Sequence, residues 1–288
     1  NLYRMLEDLT PELVEKRKLF WVDAVCVNQK DLIERSSQVR LMTAIYLKAQ
    51  VVLAWLGPET KHSTLALKKM KAMSNQLGRL YSIHNNNLVA AMESISPFVE
   101  SFTGSHNPVN PDEPSNLWPA IANIMFADWW YRAWIVQEAT ARGPWSTVLY
   151  CGRVGVPLMV AVNVCRVARV LQHFDWATTF GTTINDIAYA GVGSIASAHK
   201  RRFGDIQLLE ALDFIRATRS SDPRDKVYAA LGLVPEWVTY HLVADYTRSF
   251  VEVCLDVVHF LLAYSSPGHQ LDFLSHVAMK IEGPEKSL

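Results

Sequence analysis

Apolar residues recur at two different spacings along the first half of the chain. Leu2, Met5, Leu6 and Leu9 follow a helical period, which predicts a helix ending before Pro11. Leu19-Phe20-Trp21-Val22-Asp23-Ala24-Val25-Cys26-Val27 is almost unbroken apolar sequence rich in β-branched and aromatic residues. That run predicts a strand buried on both faces, the pattern of a parallel sheet. Asp23 interrupts it, and a charge in a buried strand is costly unless paired, so Arg35 or Arg40 is its expected partner. Residues 34–49 read as a helix with Val39, Met42, Tyr46 and Ala49 on one face. Residues 50–56 read as a second buried strand stopped by Gly57-Pro58, and residues 63–80 as a further helix.

Between 81 and 116 the periodicity dissolves into His84-Asn85-Asn86-Asn87 and a proline-bearing stretch from Asn107 to Pro114, which predicts an exposed insertion. Residues 117–126 lead into Trp129-Trp130-Tyr131-Arg132-Ala133-Trp134, and 146–151 read as a third strand ending at Gly152. Beyond it, 157–174, 206–218, 224–231 and 248–264 read as helices, with 175–204 irregular. Alternating strands and helices predict an α/β fold with a parallel sheet flanked by helices. The expected division is an α/β part over 1–152 and a mainly helical C-terminal extension over 153–288 packed on it.

Composition narrows the partners. Lys+Arg 28 balance Asp+Glu 28, which argues against a nucleic-acid protein with a strong electrostatic footprint. The cysteines Cys26, Cys151, Cys165 and Cys254 form no C-x-x-C pair, so neither a structural zinc site nor a disulfide scaffold is expected, and a reduced, cytoplasmic chain is. The apolar runs at 154–165 and 257–264 are too short to span a membrane. The chain starts at Asn1, which reads as a segment of a longer protein.

Little of the usual catalytic chemistry is present. There is no H-E-x-x-H, no G-x-S-x-G elbow and no glycine loop with a P-loop lysine. Gly191-Val192-Gly193-Ser194-Ile195-Ala196 matches G-x-G-x-x-A, but it lacks a good strand before it and reads as a turn. Ser221-Asp222-Pro223-Arg224-Asp225-Lys226 reads as a helix start, with Asp222 capping and Pro223 in the first turn. Two features remain: the group Asp23, Asn28, Arg35 and Arg40, and Glu138, one helical turn after Trp134. A large indole beside a lone carboxylate raises its pKa by desolvation, and such carboxylates mark sites only probabilistically.

Several of these segments together carry a family resemblance. Trp21-Val22-Asp23-Ala24-Val25-Cys26-Val27-Asn28-Gln29, Glu34-Arg35-Ser36, Gln38-Val39, Ile45-Tyr46 and Ala54-Trp55-Leu56-Gly57 resemble the fungal heterokaryon-incompatibility (HET) domain. So do Trp134-Ile135-Val136-Gln137-Glu138, Cys151-Gly152, Asp222-Pro223-Arg224-Asp225-Lys226-Val227-Tyr228-Ala229 and Asp245-Tyr246, in order along nearly the whole chain. The family's opening Tyr-x-Ala-Leu-Ser-Tyr-x-Trp-Gly strand is absent from the sequence. The resemblance implies fungal allorecognition and programmed cell death, a form of innate immunity. It also implies a distant likeness to TIR domains: a flavodoxin-like parallel sheet, with a catalytic glutamate in a W-x-x-x-E helix between the third and fourth strands. Trp134 and Glu138 have that spacing.

On this likeness Glu138 would be the catalytic carboxylate of an NAD hydrolase, with Trp134, Asp23, Asn28, Arg35 and Arg40 as substrate-binding residues. NAD would be the substrate; no cofactor and no metal are expected. The implied partners are a nucleotide ligand, further copies of the chain and a partner incompatibility protein. The rival reading is a non-catalytic death-signalling module that works by self-association.

Overall fold

The computed structural model of the chain describes residues 2–15, 19–100, 116–171, 187, 191–193, 195 and 206–264. At its centre lies a short mixed sheet. Strand β1 (Val52–Gly57) pairs parallel with β2 (Thr147–Cys151), and β2 pairs antiparallel with β3 (Val154–Pro157). Ala54 and Leu149 face the core from the parallel pair. The hairpin between β2 and β3 turns at Gly152, whose φ of +56° lies in the left-handed region. A Cβ there would stand 2.8 Å from Glu59 Cβ, so only glycine fits.

The remaining elements are α1 (Leu2–Glu15), α2 (Asp23–Cys26), α3 (Leu32–Lys48), α4 (Ser63–Ile83), α5 (Leu88–Glu93), α6 (Ser96–Glu100) and α7 (Trp118–Met125). They continue with a 3-10 turn (Asp128–Tyr131), α8 (Ile135–Thr140), α9 (Leu158–Leu171), α10 (Leu208–Arg216), α11 (Arg224–Leu231), α12 (Glu236–His241) and α13 (Phe250–Tyr264). The molecule is therefore α/β, largely helical, around a three-stranded mixed sheet. Helix α4 buries Ala66, Leu67, Met70, Met73, Ser74 and Leu77 along one face, at the spacing a half-buried helix requires. Trp118, Trp130, Met70, Met73 and Ile121 lie fully inside, and Trp130 satisfies its indole N–H with the Ile124 carbonyl at 2.8 Å. One continuous apolar core extends from Ala54 to Leu261.

Three expectations change. The predicted strand over 19–27 is absent: Val22 O accepts bonds from Val25 N and Cys26 N, closing a helical turn, and Leu19 is fully exposed. A short apolar run does not by itself distinguish a strand from a helix, and among the described residues no strand pairs with it to satisfy the backbone. Helix α1 runs through Pro11 to Glu15 instead of stopping before it. The exposed insertion expected over 81–116 contains α5 and α6, and Ala91, Met92, Val99 and, between the helices, Ile95 are buried; residues 101–115 lie outside the described segments. Residues 129–138 form a 3-10 turn followed by α8, with Arg132 and Ala133 bridged to Arg219 between them.

Of the G-x-G-x-x-A stretch, Ser194 and Ala196 lie outside the described residues, and Val192 and Gly193 are helical. Most of the segment expected to be irregular, 175–204, is also outside them.

Candidate functional site

Helix α8 lies in the crossover between the parallel strands β1 and β2, and all its residues are buried. Glu138 N bonds to Trp134 O at 3.1 Å, so Trp134 and Glu138 open the helix as the i, i+4 pair that their spacing predicts. The Glu138 side chain turns into a cluster assembled from distant segments. Tyr46 of α3 hydrogen-bonds its carboxyl, and Asp23 of α2 and Arg132 stand close enough to act on it electrostatically. Burial raises the Glu138 pKa well above its ordinary value. The positive charge of Arg132 and the Tyr46 hydrogen bond oppose that rise, and the negative charge of Asp23 adds to it. Burial likewise raises the Tyr46 phenol, helped by the charges of Glu138 and Asp23. Asp23 is only half-buried and Arg132 is exposed, so the cluster borders solvent on that side.

Other residues of the expected site lie elsewhere. Arg35 does not pair with Asp23. It bridges Asp222 at 3.3 Å and Asp225 at 3.1 Å, with its guanidinium 3.6 Å above the centre of the Tyr246 ring. Arg40 also leaves Asp23 alone, donating from Nε and Nη2 to Ala244 O at 3.1 and 3.0 Å. Trp134 stays next to Glu138 through the backbone bond above, while its side chain reaches Asp225. Asn28 shapes the turn before α3: its Oδ1 accepts from Lys30 N, and its own N–H donates to Glu34 Oε1. The structure thus brings Asp23 to Glu138 and gathers Arg35 and Trp134 around Asp225.

That second group ties α3 to the segment 222–246. Asp222 caps the start of α11 by accepting from Arg224 N, and Arg224 chelates it with Nε and Nη2. Burial alone would raise the Asp222 carboxyl; the hydrogen bonds and charge of Arg224, with the charge of Arg35, bring it below its ordinary range. Asp225 is buried more deeply, and burial raises it despite the Tyr246 hydroxyl and Arg35. Tyr246 N donates to Ser36 Oγ at 2.8 Å, which completes the tie between α3 and the C-terminal segment.

Three residues near α8 were not anticipated as site residues: Tyr46, Arg132 and Gln137. Tyr46 carried a signal, because a tyrosine on the inward face of a helix needs a partner for its hydroxyl. Among the described residues no group of three or more His, Cys, Asp or Glu could hold a metal ion, and no helix is long and apolar enough to cross a membrane.

The profile of the heterokaryon incompatibility protein (HET) family matches residues 1–138, which include Asp23, Tyr46, Arg132 and Glu138. The chain is 24% identical over 268 residues to heterokaryon incompatibility protein 6, OR allele, of Neurospora crassa. That alignment covers 83% of this chain and 38% of the relative, so the chain spans well under half of that protein's length. No solved structure matches the chain. Through residues 1–138, just under half of its 288 residues, the chain is similar to the heterokaryon incompatibility (HET) family.

Proposed function

We propose that the chain serves fungal non-self recognition as a HET effector of cell death, and that it acts by hydrolysing the nicotinamide–ribose bond of NAD or the equivalent bond of a related nucleotide. The observation that supports this is the convergence of Asp23, Tyr46 and Arg132, from three separate segments, on one buried carboxylate. Breaking an N-ribosyl bond sends the bonding electrons to the departing nicotinamide nitrogen and leaves positive charge on the ribose carbon. A desolvated carboxylate beside that carbon stabilises the charge far better than water does. Water then adds to the carbon and releases a proton. Nicotinamide leaves from a cationic nitrogen, so no acid is needed to protonate it. Arg132 and Tyr46 both favour the ionised Glu138 that this role requires, while burial supplies its electrostatic reach.

The test is to incubate the purified protein with NAD and follow nicotinamide release. Wild type is expected to turn over, and Glu138→Gln is expected to lose at least about a hundredfold in rate, in line with the loss of one key electrostatic group. Retained turnover in Glu138→Gln removes the proposal.

A second reading has its own observation. Helix α3 buries only Ser36 and Met42, and its Ile33, Leu41 and Leu47 are exposed, as is Val25 of α2. Ile33 is 75% and Val25 70% exposed. Exposed apolar surface of this kind favours self-association, the working mode of a signalling module. Sedimentation velocity should show wild type assembling with rising concentration and Ile33→Glu staying monomeric. Killing that survives Glu138→Gln but not Ile33→Glu selects the module over the enzyme.

A further inference from the structure

A cavity of about 580 Å³ lies between α3, α8, α11 and the segment 232–244. Its walls are mainly apolar, with Val39 and Leu47 from α3, Leu231 from α11, and Val234, Leu242 and Val243 beyond it. Its volume falls within the range that holds small ligands. Most polar groups on the lining are already used. Arg40 is bonded to Ala244 O, the Tyr228 hydroxyl to Asp245 O, and the Thr239 hydroxyl to Glu236 O.

Gln137 differs. It is 1% exposed and lines the cavity, and its Nε2 donates to Thr43 Oγ1 at 2.6 Å. Its Oε1 is buried with no hydrogen-bond partner among the described residues. An unpaired buried carbonyl costs on the order of 1–3 kcal/mol, so such groups usually meet something. The side chain is also fixed in place. Gly232 lies so close against the amide that a Cβ there would stand 2.1 Å from Gln137 Cδ. The site therefore combines a half-open, mainly apolar volume with one immobilised acceptor that has no partner among the described residues.

We infer that this cavity binds a small, neutral, mainly apolar molecule whose N–H or O–H donates to Gln137 Oε1. The charged groups on the lining, Arg40 and Glu236, are both exposed, and Arg40 is held by backbone, so nothing inside answers a phosphate. The site is distinct from the Glu138 cluster but shares its helix. Gln137 bonds Thr43, Glu138 bonds Tyr46, and these two partners lie one turn apart on α3. A ligand on the Gln137 side therefore acts on the same α3–α8 contact that carries the carboxylate. The inference does not depend on whether Glu138 is catalytic.

Indole and 1-methylindole are the probes: nearly the same shape and apolar surface, with and without an N–H. Each is titrated into the full 288-residue chain while the methyl resonances of Val39, Leu231 and Val234 are followed by NMR. Saturable shifts are expected with indole, at least about tenfold tighter than with 1-methylindole because only indole pairs the buried acceptor. Ala44→Trp, which fills the cavity from the exposed side of α3, should abolish both titrations while leaving the thermal midpoint close to wild type. No saturable shift with either probe, as for a cavity holding only water, overturns the inference. Equal affinity for the two probes in wild type overturns it too, as do shifts that persist in a folded Ala44→Trp.

Discussion

Glu138 is a costly residue to keep where it is, and pH reveals the cost. Burial raises its pKa in the folded chain above the ordinary value of 4.5. Below that value the carboxyl is protonated in both folded and unfolded chains and makes no difference to stability. As pH rises above it, the unfolded chain ionises freely while the folded chain resists, so stability falls until the folded pKa is passed. Glutamine has nearly the same shape and no charge to desolvate. Glu138→Gln is therefore expected to melt a few degrees above wild type at pH 7, with the gap closing as pH falls through about 4.5. Thermal unfolding across that range checks it. A wild type that stays the more stable at pH 7 means that Arg132 and Tyr46 outweigh burial, so that Glu138 sits charged at no cost. Gained stability together with lost turnover is the trade expected where a site is kept for function. The carboxylate itself was legible in the sequence, because a lone Glu one turn after Trp134 stands out in an apolar stretch. Its companions were not legible: Tyr46 and Arg132 lie 92 and 6 residues before it, and only folding brings them together.

At the level of elements, the charged run 221–226 shows how a local reading can be right and still incomplete. Helix α11 spans Arg224–Leu231, as its capping residues and closing Gly232 predict. Sequence does not reveal that Asp222 and Asp225 also hold Arg35, 187 and 190 residues away. Asp225 is almost fully buried, so removing Arg35 strands a carboxylate in a poor environment. Arg35→Ala is expected to cost about 3 kcal/mol in chemical denaturation, with Lys a poor substitute because it lacks the planar fork and the stacking on Tyr246. Arg40→Ala loses bonds to a single carbonyl and is expected to cost about 1 kcal/mol. Equal costs for the two would mean that the clamp is no stronger than a surface contact. The elements that the sequence hid have physical reasons. Strand β3 is four residues long and runs directly into α9 at Leu158, too short for an alternation to show. Leu88, Ala91, Met92, Ile95 and Val99 do carry a helical period, but the asparagines at 85–87 and the prolines from 108 on have the chemistry of loops. Asn85 and Asn86 do form a turn, both with positive φ, and Asn87 then caps α5.

For the whole molecule the question is whether the family-matched segment stands alone. The HET profile ends at residue 138, yet the core that surrounds Glu138 draws on the rest of the chain. Ile135, Val136 and Ala139 of α8 share one apolar cluster with Val160 and Val164 of α9, Ala211 and Ile215 of α10, and Ala229 and Ala230 of α11. Cutting after residue 152 would also strip β2 of β3, and Arg35 of both aspartates. Burying apolar surface is the main force opposing chain entropy, and a fragment that loses one side of its core loses that force while keeping most of the entropy cost. The fragment 1–152 is therefore expected to bind a hydrophobic dye and to unfold without a sharp transition, whereas the 288-residue chain unfolds cooperatively. If 1–152 instead melts sharply and gives dispersed NMR resonances, the C-terminal half is a separate unit and the Arg35 clamp a docking contact between two folded bodies. The outcome also governs every assay of Glu138. A carboxylate whose proton affinity is set by burial keeps its chemistry only in a chain long enough to bury it.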